Sequence, residues 1–310
     1  MDILTSDKVE FSLALAIIVF IIGIISIALN GLVVYISSSK NNIKYKIDYQ
    51  LILLIAIFDI ISSLFVLVSQ TIEWNSSNPL DFRTSSWCLL SSAIYVPATV
   101  AALCLTSQLA IMRYLVIVKS QKISTKLNVA IFTILLCTIF SILVTTSVFQ
   151  NLKLMPSGLY CIPVNKVTGS AGDIIFGIFG VILVASNFFI IPIAYLFISF
   201  HYKKVTESLN VIDKRYLSFS QRYSSILGLV GFSFFYVICL LPELIMIAFE
   251  SVNSPIINSH GMDSFAFIMF FLVTILNPLF VLTLHSESRS EILSLFMTHY
   301  RAFNSRVELK

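Results

Sequence analysis

The sequence predicts an all-α membrane protein, a seven-transmembrane helix bundle with its N-terminus outside. Three observations carry that expectation. Of 310 residues, 57% are hydrophobic and only 12% charged, whereas a soluble domain averages about 45–50% apolar and about 25% charged. Seven apolar runs follow one another along the chain, each near the roughly 20 residues that a helix needs to cross a bilayer. The Lys and Arg residues then fall mostly on one side of those runs. With ten Gly and five Cys, collagen-like and disulfide-rich architectures are excluded. A net charge of +4 is too small to point to a nucleic-acid partner.

The runs are residues 11–37, without a charge; 51–69, with Asp59; 88–118, with Arg113 near its end; 127–149; 174–200; 226–249, with Glu243; and 265–284. Lipid offers no partner to an unpaired backbone group, so an open chain crosses it as helix. Met1 to Glu10 is acidic rather than basic, so the first run reads as a span and not as a cleaved signal. No long internal repeat is visible, which weakens a transporter reading. The expected organisation is an extracellular N-terminus over 1–10, a seven-transmembrane domain over 11–284 and a cytoplasmic helix and tail over 285–310. Residues 287–297 mix polar and apolar side chains at roughly helical spacing, as in a short amphipathic helix lying on the membrane surface.

Orientation follows from the basic residues. With the N-terminus outside, only Lys8, Arg83, Lys153 and Lys166 are extracellular, and sixteen of the twenty Lys and Arg are cytoplasmic. The positive-inside rule selects that orientation. It puts Asn75, in the sequon Asn75-Ser76-Ser77, in the outer loop after span two, where glycosylation can occur. It also puts Cys88 and Cys161 on the oxidising side. Cys104, Cys137 and Cys239 fall inside spans, where they pack as small apolar residues.

A carboxylate in mid-span is costly and is expected to face polar partners within the bundle. For Asp59 the candidates are Asn30, Thr274 and Asn277. Pro192, Pro242 and Pro278 each remove a backbone hydrogen bond from a span and are candidate pivots for a two-state switch.

Taken in order, these residues resemble the rhodopsin-like (class A) G-protein-coupled receptors, over about 11–297. The matches are Asn30 in Leu29-Asn30-Gly31; Asp59 in Ile55-Ala56-Ile57-Phe58-Asp59; Cys88 and Arg113 at an interval of 25 residues, with Tyr114 following; Pro192; Cys239-Leu240-Leu241-Pro242; and Asn277-Pro278. The resemblance implies a Cys88–Cys161 disulfide, a water or sodium pocket at Asp59 that rearranges on activation, and G-protein coupling through Arg113 and Tyr114. It implies an extracellular ligand in the outer half of the bundle, a heterotrimeric G protein as partner, and the plasma membrane as location.

The departures from the family pattern are specific. Met112 stands where the acid beside the arginine is usual, and Arg222 where some receptors carry a second acid. Leu240 replaces a tryptophan, and Phe200 and Val281 replace the tyrosines of spans five and seven. Ala102 stands at the family's span-three serine, which favours water over sodium near Asp59. Lacking its acidic neighbour, Arg113 is expected to allow some ligand-independent activation unless other packing compensates.

For the ligand site, Tyr95 takes the position where amine receptors carry aspartate, so a simple amine held by that salt bridge is not expected. Phe271 takes the retinal-lysine position of opsins, and span seven contains no lysine, which excludes a retinal Schiff base. Glu243 either contacts a polar or cationic ligand group or pairs with Tyr95, Asn187 or another polar side chain. No cofactor is expected, and the four histidines all lie in loops, at span ends or in the tail, so neither a metal site nor an intramembrane enzyme is expected. A transporter or channel with Asp59 and Glu243 lining a polar path is the alternative.

Overall fold

The computed structural model describes residues 6–39, 47–75, 86–121, 124–149, 151–154, 161–164, 171–212, 219–251 and 260–284. Seven helices account for most of them. They are α1 (Ser6–Ser39), α2 (Ile47–Asn75), α3 (Ser86–Ile117), α4 (Thr125–Phe149), α5 (Ala171–Ile212), α6 (Phe219–Ser251) and α7 (His260–Leu284). Six of the seven expected runs lie within one helix, and the third, 88–118, passes the end of its helix by one residue; elsewhere the helices extend past the runs, α1 by starting at Ser6 and α5 by continuing to Ile212. Six contain a described stretch long and apolar enough to cross a membrane; in α4 that stretch is shorter, Val129–Thr138.

Between α4 and α5, where the sequence was read only as a loop, the chain forms two antiparallel strands, β1 (Asn151–Leu154) and β2 (Cys161–Val164). Asn151 pairs with Val164 and Leu154 with Cys161. Both strands lie against α3. The α2 helix runs through Asn75, so the sequon begins on the last residue of a helix rather than in the loop beyond it. The expected surface helix over 287–297 lies outside the described residues.

Helix α3 is the axis of the bundle. It contacts α2, α4 and α5, while α5–α6, α6–α7, α7–α1 and α1–α2 contacts close the ring. It ends shortly after Arg113, with Ser120 in the left-handed region at φ 52°, a conformation that suits the residue after a helix end.

Three sets of side chains hold the ring. Leu103 and Ala110 of α3 join Ile191, Tyr195 and Ile198 of α5, Phe232, Tyr236 and Leu240 of α6, and Phe280 of α7. Leu105, Leu109 and Met112 join α1, α2 and Val281 of α7. Tyr95, Phe267 and Phe271 pack with Leu15, Val19 and Ile22 of α1 and Val66 of α2. Isoleucines 17, 18, 21, 24 and 25 of α1 are exposed, as expected of a face that lipid covers.

Candidate functional site

The buried polar residues gather in two sets in the middle of the bundle, one at Asp59 and one at Asn30. Asp59 is 1% exposed, and Asn277 Nδ2 donates to its Oδ2 at 3.0 Å. That contact ties α2 to α7. Of the three expected partners, only Asn277 is seen bonded to Asp59.

Asn30 and Thr274 meet each other instead, for a reason visible in the sequence. Pro278 has no N–H, so the carbonyl four residues earlier, that of Thr274, loses its helical donor. Asn30 Nδ2 donates to that carbonyl at 2.9 Å and Ser26 Oγ at 3.3 Å. Asn30 Nδ2 also lies 3.0 Å from the Ser26 carbonyl, and Ser63 Oγ of α2 donates to Ser26 Oγ at 2.8 Å. Thr274 turns its own hydroxyl to the Phe271 carbonyl, 2.8 Å away. The span-one asparagine therefore satisfies the break that the span-seven proline makes. A free carbonyl in a membrane interior has no water to bond, so the arrangement joins α1 to α7.

A small cavity opens beside these residues. It is lined by Asn30 and Asn277 together with Thr106, Tyr195, Phe232 and Phe280, and by aliphatic side chains of α1, α2 and α7. It leaves about 20 Å³ for the centre of a water molecule; one water needs roughly 10–15 Å³ on that measure. Asn30 Oδ1 and Asn277 Oδ1 are buried acceptors without a hydrogen-bond partner among the described residues.

Arg113 lies at the end of α3 near this cavity, 14% exposed. Three groups hold it. Its Nη1 is 3.5 Å from the Tyr195 hydroxyl. Its guanidinium carbon lies 5.4 Å from the centre of the Phe280 ring, within cation–π range. Its Nε is 3.7 Å from Oδ2 of Asp48, in the first turn of α2. The three aromatic rings Tyr195, Phe232 and Phe280 pack together, with centroids 4.0 to 5.7 Å apart. Tyr114 packs on Phe197 of α5 at 5.7 Å.

These contacts revise the sequence reading of the missing tyrosines. Phe200, at the expected span-five position, is 66% exposed. The hydroxyl comes from Tyr195, five residues earlier and fully inside the bundle. In span seven the aromatic ring comes from Phe280 rather than from Val281. The expectation that Arg113 lacks an acidic partner is likewise revised: Met112 is buried among aliphatic side chains, and Asp48 supplies the charge. The Arg222 side chain lies outside the described residues.

At the opposite end of the bundle, Tyr95 and Phe271 are both buried. Phe267 bridges them, at 5.9 Å from Tyr95 and 5.8 Å from Phe271. Glu243 is half-buried and interacts electrostatically with the Tyr95 phenol. Asn187 donates instead to the Leu183 carbonyl and to Cys104 Sγ.

Pro192 and Pro242 lie within α5 and α6, half-buried, and Pro278 lies within α7, buried. A fourth proline, Pro97, lies within α3 and was not singled out from the sequence. Asp263, in the first turn of α7, is a second fully buried carboxylate missed in the same way. Its place in the first turn, where a helix favours negative charge, was legible. Cys88 stands in the first turn of α3 and Cys161 opens β2, but their side chains and that of Asn75 lie outside the described residues. No cluster of metal-binding side chains occurs among the described residues.

No family model matches the chain, and no curated protein matches it. The fold does have a solved counterpart. Squid rhodopsin superposes with a TM-score of 0.66 at 16% identity, over 96% of this chain and 87% of that one. With seven apolar helices bundled in that arrangement, this chain is a multi-pass membrane protein with the rhodopsin fold.

Proposed function

We propose that the protein is a rhodopsin-like G-protein-coupled receptor of the plasma membrane, with its N-terminus outside. In this reading an extracellular ligand binds in the outer half of the bundle, near Tyr95, Glu243 and Phe271, and the Arg113 end activates a heterotrimeric G protein. Cys88 and Cys161 are bridged, and Asn75 carries a glycan.

One observation carries the reading. The cavity that touches Asn30 and Asn277 is also lined by Tyr195 and Phe280, two of the groups that hold Arg113. A rearrangement of the polar core is thus one side chain away from the arginine. Switching by discrete repacking needs such physical continuity between two arrangements. The alternative, a transport path through Asp59 and Glu243, would leave the Cys88-to-Arg113 interval and Asn277-Pro278 as coincidence.

Guanine-nucleotide exchange by the purified protein in lipid discs, with each class of heterotrimeric G protein, tests the reading. Wild type is expected to accelerate exchange above the G protein alone. Asp59→Asn keeps the shape and removes the charge, so it is expected to change exchange per folded receptor more than it changes surface expression. Collapsed expression with normal exchange per receptor would make the Asp59 knot a packing device. Exchange at the G-protein background in every class, together with solute flux in proteoliposomes, would favour the transporter.

A further inference from the structure

We infer that Asp48 is the restraining counter-ion of Arg113, replacing the acid that Met112 displaces from the adjacent position. The inference deepens the receptor reading above and rests on it for its signalling consequence. Its structural part rests on geometry alone.

The Asp48 carboxylate reaches Arg113 from another helix, in the first turn of α2, and the pair is held at Nε. Tyr195 occupies Nη1 and Phe280 the guanidinium face. The arginine is therefore gripped from α2, α5 and α7 at once, on three different parts of one planar group. An acid at position 112 would hold Arg113 from its own helix and tie nothing together. An acid on α2 ties the end of α3 to a neighbour, and releasing it frees Arg113 to move without unwinding α3.

The competing role for Asp48 is local. A carboxylate in the first turn of α2 favours that helix by complementing its positive end. The two roles separate in a double-mutant cycle, because the helix-end effect does not need Arg113.

The experiment measures thermal midpoints of wild type, Asp48→Asn, Arg113→Gln and the double variant in lipid discs, without any G protein. It also measures basal nucleotide exchange of wild type, Asp48→Asn and Asp48→Asn/Met112→Asp. If Asp48 acts through Arg113, Asp48→Asn lowers the midpoint in wild type but not in the Arg113→Gln background. Basal exchange then rises about two- to fivefold, the range of a partly exposed ion pair, and Met112→Asp lowers it again by restoring an acid beside the arginine. Equal midpoint losses in both backgrounds would leave Asp48 a helix-end charge and overturn the inference. Coupled midpoints with unchanged exchange, in a wild type that does catalyse exchange, would overturn the restraint. Coupled midpoints with no exchange from any variant would overturn the receptor reading, and with it the signalling role, while the ion pair itself would stand.

Discussion

Helices α1 and α3 look alike as apolar runs, and the fold uses them in opposite ways. In the membrane segment of α1, 33% of residues are buried inside the protein; in that of α3 the share is 56%. The more apolar helix is the less buried one. In water the order would be reversed. In a bilayer, apolar side chains gain nothing by leaving lipid, so small and polar residues mark the protein-facing surface. Over residues 101–110 α3 is buried on every side, and the small or polar Ala101, Ala102, Thr106, Ser107 and Ala110 sit there beside Leu103, Leu105 and Leu109. On α1 a single stripe, Val19, Ile22, Ser26, Asn30 and Val33, turns inward. In this pair of helices the more apolar run lies against lipid, and the run interrupted by small and polar residues lies inside the bundle.

The comparison breaks if enlarging a residue costs the same on both helices. Ala110→Phe adds a ring at a fully buried α3 position packed with α5 and α6. It should cost at least the roughly 1–3 kcal/mol typical of overpacking. Ile21→Phe, on the exposed face of α1, should stay within about 0.5 kcal/mol. Thermal unfolding in lipid discs compares the two, and similar losses would mean that the α1 face is covered by protein rather than lipid.

The polar stripe of α1 sharpens the contrast at a smaller scale. Asn30→Ala removes one of two donors to the carbonyl that Pro278 leaves free, and should cost about 1–2 kcal/mol. Pro278→Ala supplies a helical N–H to that carbonyl, so the Asn30→Ala loss should shrink in the Pro278→Ala background. An undiminished loss would assign the cost to the other Asn30 contacts.

The smallest expected effect is at Gly23, which faces Leu67 of α2. A Cβ there would stand 2.9 Å from Leu67 Cδ2 and 3.0 Å from its Cγ. Gly23→Ala should cost about 1 kcal/mol or less, because the better helix propensity of alanine offsets part of the clash. The loss should vanish in a Leu67→Ala background, where the space is open.

Which parts were legible follows the same division. Sequence alone determined the seven membrane helices and their order, because the bilayer admits only long apolar helices and each announces itself by length. It also marked Asp59 as a carboxylate in mid-span, and the resemblance marked Asn30, Asn277 and Arg113 through their motifs and spacing. It did not determine which of them touch. Asp59 bonds Asn277 while Asn30 bonds the Thr274 carbonyl, an outcome fixed by how α1, α2 and α7 are rotated about their axes. Nor did it find Asp48 or Tyr195. Asp48 stands just before the second apolar run, and Tyr195 is one of 12 tyrosines. The third group on the arginine, the Phe280 ring, was passed over for Val281 beside it. Only the packing of α2, α5 and α7 around the end of α3 brings those three side chains to one guanidinium. Their sequence separations from Arg113, 65 residues for Asp48, 82 for Tyr195 and 167 for Phe280, carry no local periodicity that could have shown it.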